Sequence, residues 1–138
     1  MSRLPELDDG WQVTSMKLLV VDDDSALRAL VTSLFSHEGF DVMSAEDGDK
    51  ALRLMASNHF DCVITDIFMP NKDGYELIRD IVKRGNGTKI VALTGMPETA
   101  EFGKDCLKIA SMLGAHNVIR KPFDFPELLQ VVKDIEAI

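Results

Sequence analysis

Three carboxylates stand side by side at Asp22, Asp23 and Asp24, where the apolar run LLVV meets the helix-like pattern SALR. Two unit charges ~4 Å apart repel by about 4 kcal/mol at an effective dielectric near 20, so the cluster calls for a cation or a helix cap to answer it. A further acid, Asp66, ends the apolar run CVIT; a hydroxyl, Thr94, ends KIVAL; an ammonium, Lys121, follows NVIR. If these residues met, they would make one compact site: acids for a hard cation, a central carboxylate, a hydroxyl donor and an ammonium. Cys62 and Cys106 lack metal-ligand spacing and read as small buried hydrophobes. His37, His59 and His116 have no ligand spacing either.

The elements that must position these groups alternate along the chain. Strands are expected at 17–22, 40–44, 61–65, 88–93 and 116–120, and the first, third and fourth are apolar almost without alternation, as central parallel strands are. Between them Leu27, Leu30, Val31, Leu34 and Phe35 form a buried helical stripe. So do Phe102, Cys106, Ile109, Ala110 and Leu113, and again Leu128, Val131, Val132 and Ile135. The helices near 48–57 and 74–83 carry weaker stripes. Gly39, Gly85, Gly87 and Gly114 follow helices, where a left-handed C-terminal residue is usual. Strict alternation of strand and helix predicts an α/β fold with a parallel sheet covered on both faces and joined by right-handed crossovers. Sites in such sheets lie beyond the carboxyl ends of the strands, where all the residues above fall.

The 138 residues suffice for one domain with a real core. Residues 16–138 are expected to form it, with 1–15 a flexible N-terminal tail whose Trp11 packs on the surface. A hydrophobic content of 46% with 28% charged residues is ordinary for a globular protein. The net charge of −8 argues against direct nucleic-acid binding, which needs Lys and Arg on phosphates. No apolar run is long enough to span a bilayer, and the N-terminus lacks a signal-peptide core, so a cytoplasmic protein without membrane contact is expected.

In the order VVDDDSALR, ITDIFMPNKDG, VALTG and VIRKPF, these motifs resemble those of response-regulator receiver domains of two-component signalling, single-domain chemotaxis regulators among them, over residues 17 to 136. The resemblance implies a flavodoxin-like, doubly wound (βα)5 three-layer sandwich whose five-stranded parallel sheet runs in the order 2-1-3-4-5. It implies Asp66 as phosphoacceptor, with Thr94 and Lys121 completing the catalytic set by donating to phosphoryl oxygens. Mg²⁺ is the implied cofactor, held by Asp22, Asp23, Asp66 and the backbone carbonyl of Phe68, with Asp23 binding directly and Asp22 mostly through water. A cis Lys121–Pro122 peptide is implied too. Asp24 is read as a helix N-cap, with Ser25 as the other candidate, and Pro70, Asp73 and Gly74 as structural.

Three features depart from the family pattern. Val118 stands where relatives usually carry an aromatic switch residue, so signalling would rely on Thr94 and backbone shifts. The stretch from Thr94 to Lys121 is about five residues longer than usual, predicting a longer loop or an extended fourth helix. Phe68 and Met96, two residues beyond Asp66 and Thr94, offer no hydrogen bond to a hydrolytic water, which predicts slow self-dephosphorylation.

The function expected is a stand-alone response regulator, not an enzyme beyond its own phosphorylation and dephosphorylation. Because the sequence given ends at Ile138, just after the fifth expected helix, no effector domain is expected. Its partners would be a histidine kinase or histidine phosphotransfer protein, docking near the site against helix one, and a downstream protein target. A receiver-like interaction module that is never phosphorylated is the alternative. A small-molecule phosphatase of the haloacid-dehalogenase type wants an acid two residues after its nucleophile, where Phe68 stands. GNG at 85–87 precedes a strand rather than opening a helix, so it is not a nucleotide loop, and the acids lack the spacing of a calcium loop.

Overall fold

The computed structural model describes residues 16–95 and 103–136. In chain order the elements are β1 (Lys17–Val21), α1 (Ser25–His37), β2 (Asp41–Ala45), α2 (Gly48–Ser57), β3 (Cys62–Asp66), α3 (Gly74–Arg84), β4 (Lys89–Thr94), α4 (Gly103–Leu113), β5 (Asn117–Arg120) and α5 (Phe125–Glu136). The strands form one parallel sheet in the order β2-β1-β3-β4-β5. This is the expected three-layer, flavodoxin-like arrangement.

Alternating residues of the central strands feed two cores. Leu19, Val21, Val63, Ile90 and Ala92 meet Ala51 and Met55 of α2, Leu77, Ile78 and Ile81 of α3 and Ala110 of α4. Leu18, Val20, Ile64, Val91 and Leu93 meet Val31 and Phe35 of α1 and Leu128, Val132 and Ile135 of α5. Burial on both faces explains why these strands read as unbroken apolar runs. Phe35, fully buried, takes the edges of Phe40 and Phe125 at centroid distances of 5.1 and 4.9 Å. Cys62 and Cys106 are buried.

Three readings of the helices need correction or bounding. Leu30 and Ile109, assigned to buried stripes, are 55% and 43% exposed. Both stripes are wider than the face the sheet can cover, so their outer members line surface grooves instead. The α3 stripe is stronger than its sequence suggested, since Leu77, Ile78 and Ile81 are all buried. The helix α4 spans 11 residues; Met96 and Phe102, with the rest of 96–102, lie outside the described residues, as do Trp11 and the N-terminal segment.

The carboxyl edge of the sheet is fixed by caps. Asp24 accepts the N–H groups of Ala26 and Leu27, Asp47 that of Lys50, Asp73 that of Glu76 and Asp124 that of Glu127. Each such cap contributes about 1 kcal/mol. Four helices thus begin at this edge with an aspartate committed to their first turn, and three further aspartates there converge on one another.

Candidate functional site

Asp22, Asp23 and Asp66 are those acids. Each offers a carboxylate oxygen, and the three oxygens lie within 4.8 Å of one another. Asp22 and Asp66 are 1% and 6% exposed, while Asp23 faces solvent. The convergence follows from register: Val21 pairs with Thr65 across β1 and β3, so the next residues, Asp22 and Asp66, share one edge.

Internal bonds hold Asp22. Its Oδ1 accepts the Asp24 N–H at 2.9 Å, its Oδ2 accepts Lys121 Nζ at 3.0 Å, and its own carbonyl accepts Arg28 Nη1 at 2.6 Å. Its N–H donates to the Ala45 carbonyl at 3.2 Å. A carboxylate so fully used suits an outer role at a cation, and exposed Asp23 suits a direct one.

Lys121 reaches this edge from the other side of the sheet. Its N–H donates to the Thr94 carbonyl at 2.7 Å, and the peptide to Pro122 is cis. Its Nζ lies 3.4 Å from Asp66 Oδ2, so one ammonium bridges two buried carboxylates. Burial by itself pulls this ammonium's pKa down, but the hydrogen bond to Asp22 and the charges of Asp66 and Asp22 outweigh it, and the pKa is raised. Burial pushes the Asp66 carboxyl above the ordinary carboxylate range; Lys121 opposes that shift, and Asp22 and Asp23 reinforce it. Three acids held against one ammonium leave the cleft short of positive charge, the condition a divalent cation meets.

Thr94, fully buried, is the last residue of β4. Leu93 pairs with Asp66, and the Leu93 carbonyl accepts the Ile67 N–H at 2.9 Å, so Thr94 sits one step further out on the strand beside the central carboxylate. Phe68, in the β3–α3 loop, is 44% exposed, and its ring is set edge-on to Tyr75 at 6.2 Å. Val118 is partly buried against the α2–α4 core. The loop's neck is closed by Gly74, whose N–H donates to the Ile67 carbonyl at 2.7 Å. A side chain at Gly74 would run into the Asp66 carbonyl oxygen and lie 2.6 Å from Ile67 Cα.

Arg28, Asp47 and Asn71 also serve this region and were not singled out from sequence. The signals were present: Asp47 precedes GDKALRL as an N-cap should, and Asn71 sits in PNKDG, where a left-handed residue fits the turn.

The family description "Response regulator receiver domain" matches residues 18–133. A curated relative, the response regulator MprA of Mycobacterium sp. (strain KMS), is 36% identical over 115 residues, which is 83% of this chain and 47% of the relative. The chain therefore spans about half the length of the curated relatives it matches. Among solved structures, the chemotaxis response regulator CheY4 of Vibrio cholerae superposes with a TM-score of 0.78 at 28% identity, covering 88% of this chain and 99% of that one. The response regulator TrrA of Thermotoga maritima, solved in complex with Mg²⁺-BeF, gives 0.74 at 33% identity, covering 87% and 98%.

Proposed function

The chain belongs to the response regulator receiver family of two-component signalling, and on that premise we propose that it accepts a phosphoryl group on Asp66 from a histidine kinase or histidine phosphotransfer protein, with Mg²⁺ in the acidic cleft. One observation carries the reading: Lys121 bridges Asp66 and Asp22 within a cluster of three convergent acids. An Asp66 carboxylate oxygen attacks the donor's phosphorus; the new O–P bond forms as the N–P bond of the phosphohistidine breaks, and the electron pair returns to the imidazole. Asp22, Asp23, Asp66 and the Phe68 carbonyl would hold the cation, which would neutralise charge on the phosphoryl oxygens. Lys121 holds one phosphoryl oxygen and Thr94 donates to another, both offsetting charge that grows in the transition state.

The cation fits the residues present. Its ligands are all oxygens, the choice of a hard divalent ion that keeps several waters. The solved relative TrrA, in its complex with Mg²⁺-BeF, supports the assignment.

The phosphodonor approaches along α1. An apolar groove of about 390 Å³ runs beside Lys121, lined by Leu27, Leu30 and Leu34 of α1 and by Pro122, Phe123 and Phe125. An amphipathic helix of the donor would bury Leu30 there and bring its histidine to the cleft. Output through contact with a downstream protein target completes the reading, supported by the likeness to a chemotaxis response regulator. Among the described residues no helix is long and apolar enough to cross a membrane.

Incubation with acetyl phosphate and Mg²⁺, followed by intact mass, tests the proposal. One phosphoryl adduct, lost in Asp66→Asn and without Mg²⁺, is expected. A wild-type chain that takes no adduct would instead make this an interaction module that is never phosphorylated.

A further inference from the structure

The β2–α2 turn touches both walls of the acidic cleft. On one side the Ala45 carbonyl accepts the Asp22 N–H. On the other, Asp47 Oδ2 accepts Asn71 Nδ2 at 3.1 Å across the β3–α3 loop. The Gly48 N–H adds a bond to the Lys72 carbonyl at 3.3 Å, and a Cβ on Gly48 would lie only 2.8 Å from that oxygen. The start of α2 is therefore pressed directly onto the loop that contains Phe68.

Asn71 has a φ of 65°, a left-handed conformation that asparagine tolerates better than most residues. Its amide is thereby presented to Asp47, which is buried and whose other oxygen caps α2 at Lys50. Both oxygens of this carboxylate are committed to neighbours, so it acts as a strut. The loop is fixed at its neck by Gly74 and at its far end by Asp47, with the Phe68 carbonyl between the two anchors.

We propose that Asp47 is a positioning residue for the divalent-cation site: by tying the β3–α3 loop to the turn that also holds Asp22, it sets the separation between the Phe68 carbonyl and the Asp22–Asp23 pair. This inference rests on the reading of those residues as cation ligands. Groups that orient metal ligands from behind affect affinity even though they never touch the ion.

The test measures the Mg²⁺ dissociation constant of the full chain by isothermal titration calorimetry, alongside the thermal midpoint. Asp47→Ala and Asn71→Gly each weaken Mg²⁺ binding roughly tenfold, the low end for loss of an outer-shell partner. The double variant is no worse than either single one, because both remove the same bond. Asp47→Asn retains binding, since its amide can cap α2 and still pair with a turned Asn71 amide. Ile135→Val, in α5 on the other face of the sheet, lowers stability without changing affinity. Unchanged affinity in Asp47→Ala and Asn71→Gly, with normal binding by the wild type, would leave Asp47 a helix cap alone and overturn the inference. Should Asp47→Ala fail to fold, Asn71→Gly decides by itself. A wild type that binds no Mg²⁺, or an Asp23→Asn variant that binds it as well as the wild type, removes the underlying site reading instead.

Discussion

Asp22 and Lys121 are 99 residues apart in the chain and 3.0 Å apart in space, and the same ammonium lies 3.4 Å from Asp66. This contact joins the first strand end to the last and sets the charge balance of the whole cleft.

Removing that ammonium is expected to separate two roles. In Lys121→Met the acids lose their internal counter-charge, so Mg²⁺ binding tightens on the order of tenfold, because a unit charge ~5 Å from a divalent ion repels it by ~7 kcal/mol at an effective dielectric near 20, most of which screening removes. Phosphoryl transfer to Asp66 nevertheless slows by about 100-fold, as when one transition-state donor is lost. Calorimetric Mg²⁺ titration and rates of adduct formation from acetyl phosphate check the two directions; weaker Mg²⁺ binding would contradict the charge balance described.

Gly74 is required for space. A Cβ there meets backbone atoms of Asp66 and Ile67, which cannot swing aside as a flexible side chain would. Gly74→Ala should cost about 1–3 kcal/mol, the range for overpacked sites, and displace the β3–α3 loop. Urea unfolding gives the first quantity, and a reduced rate of phosphorylation reports the second.

Phe68 is expected to set how long an acyl phosphate on Asp66 would last. Its exposed ring, set against Tyr75, offers an attacking water no hydrogen bond. Phe68→Asn should speed decay severalfold, short of the ~100-fold of a fully positioned acid or base. Loss of the adduct followed by intact mass after donor removal measures it, and an unchanged lifetime would place control elsewhere.

His116 makes stability depend on pH. Its Nδ1 accepts the Ile90 N–H at 3.0 Å, and desolvation on that side, with the charge of Lys89, lowers its pKa from the ordinary 6.5. The unfolded chain then binds the proton more readily than the folded one, so this contribution is complete above about pH 6.5 and is lost as pH falls from there toward the folded pKa. Thermal midpoints should be level near neutrality and decline gently below it. His116→Asn, whose Oδ1 can accept the same N–H, should flatten that decline.

The alternation of apolar runs and helical stripes determined the element order and the parallel sheet, because each pattern depends only on which faces a segment must bury. Motif order was enough to single out Asp22, Asp23, Asp66, Thr94 and Lys121, since residues at strand ends have nowhere else to go in such a sheet. Asp24 was likewise legible as a cap. Which members of the α1 and α4 stripes stay exposed was not, because Leu30 and Ile109 obey the same spacing as their buried neighbours and differ only in whether another element reaches them. The bridge from Lys121 to two carboxylates, the clearance at Gly74 and the strut from Asp47 to Asn71 likewise needed tertiary structure. The bridge and the strut join segments distant along the chain, and Gly74 folds a loop back onto its own start; local pattern sets the type of an element but not the ångström-scale distance at which two parts of the chain meet.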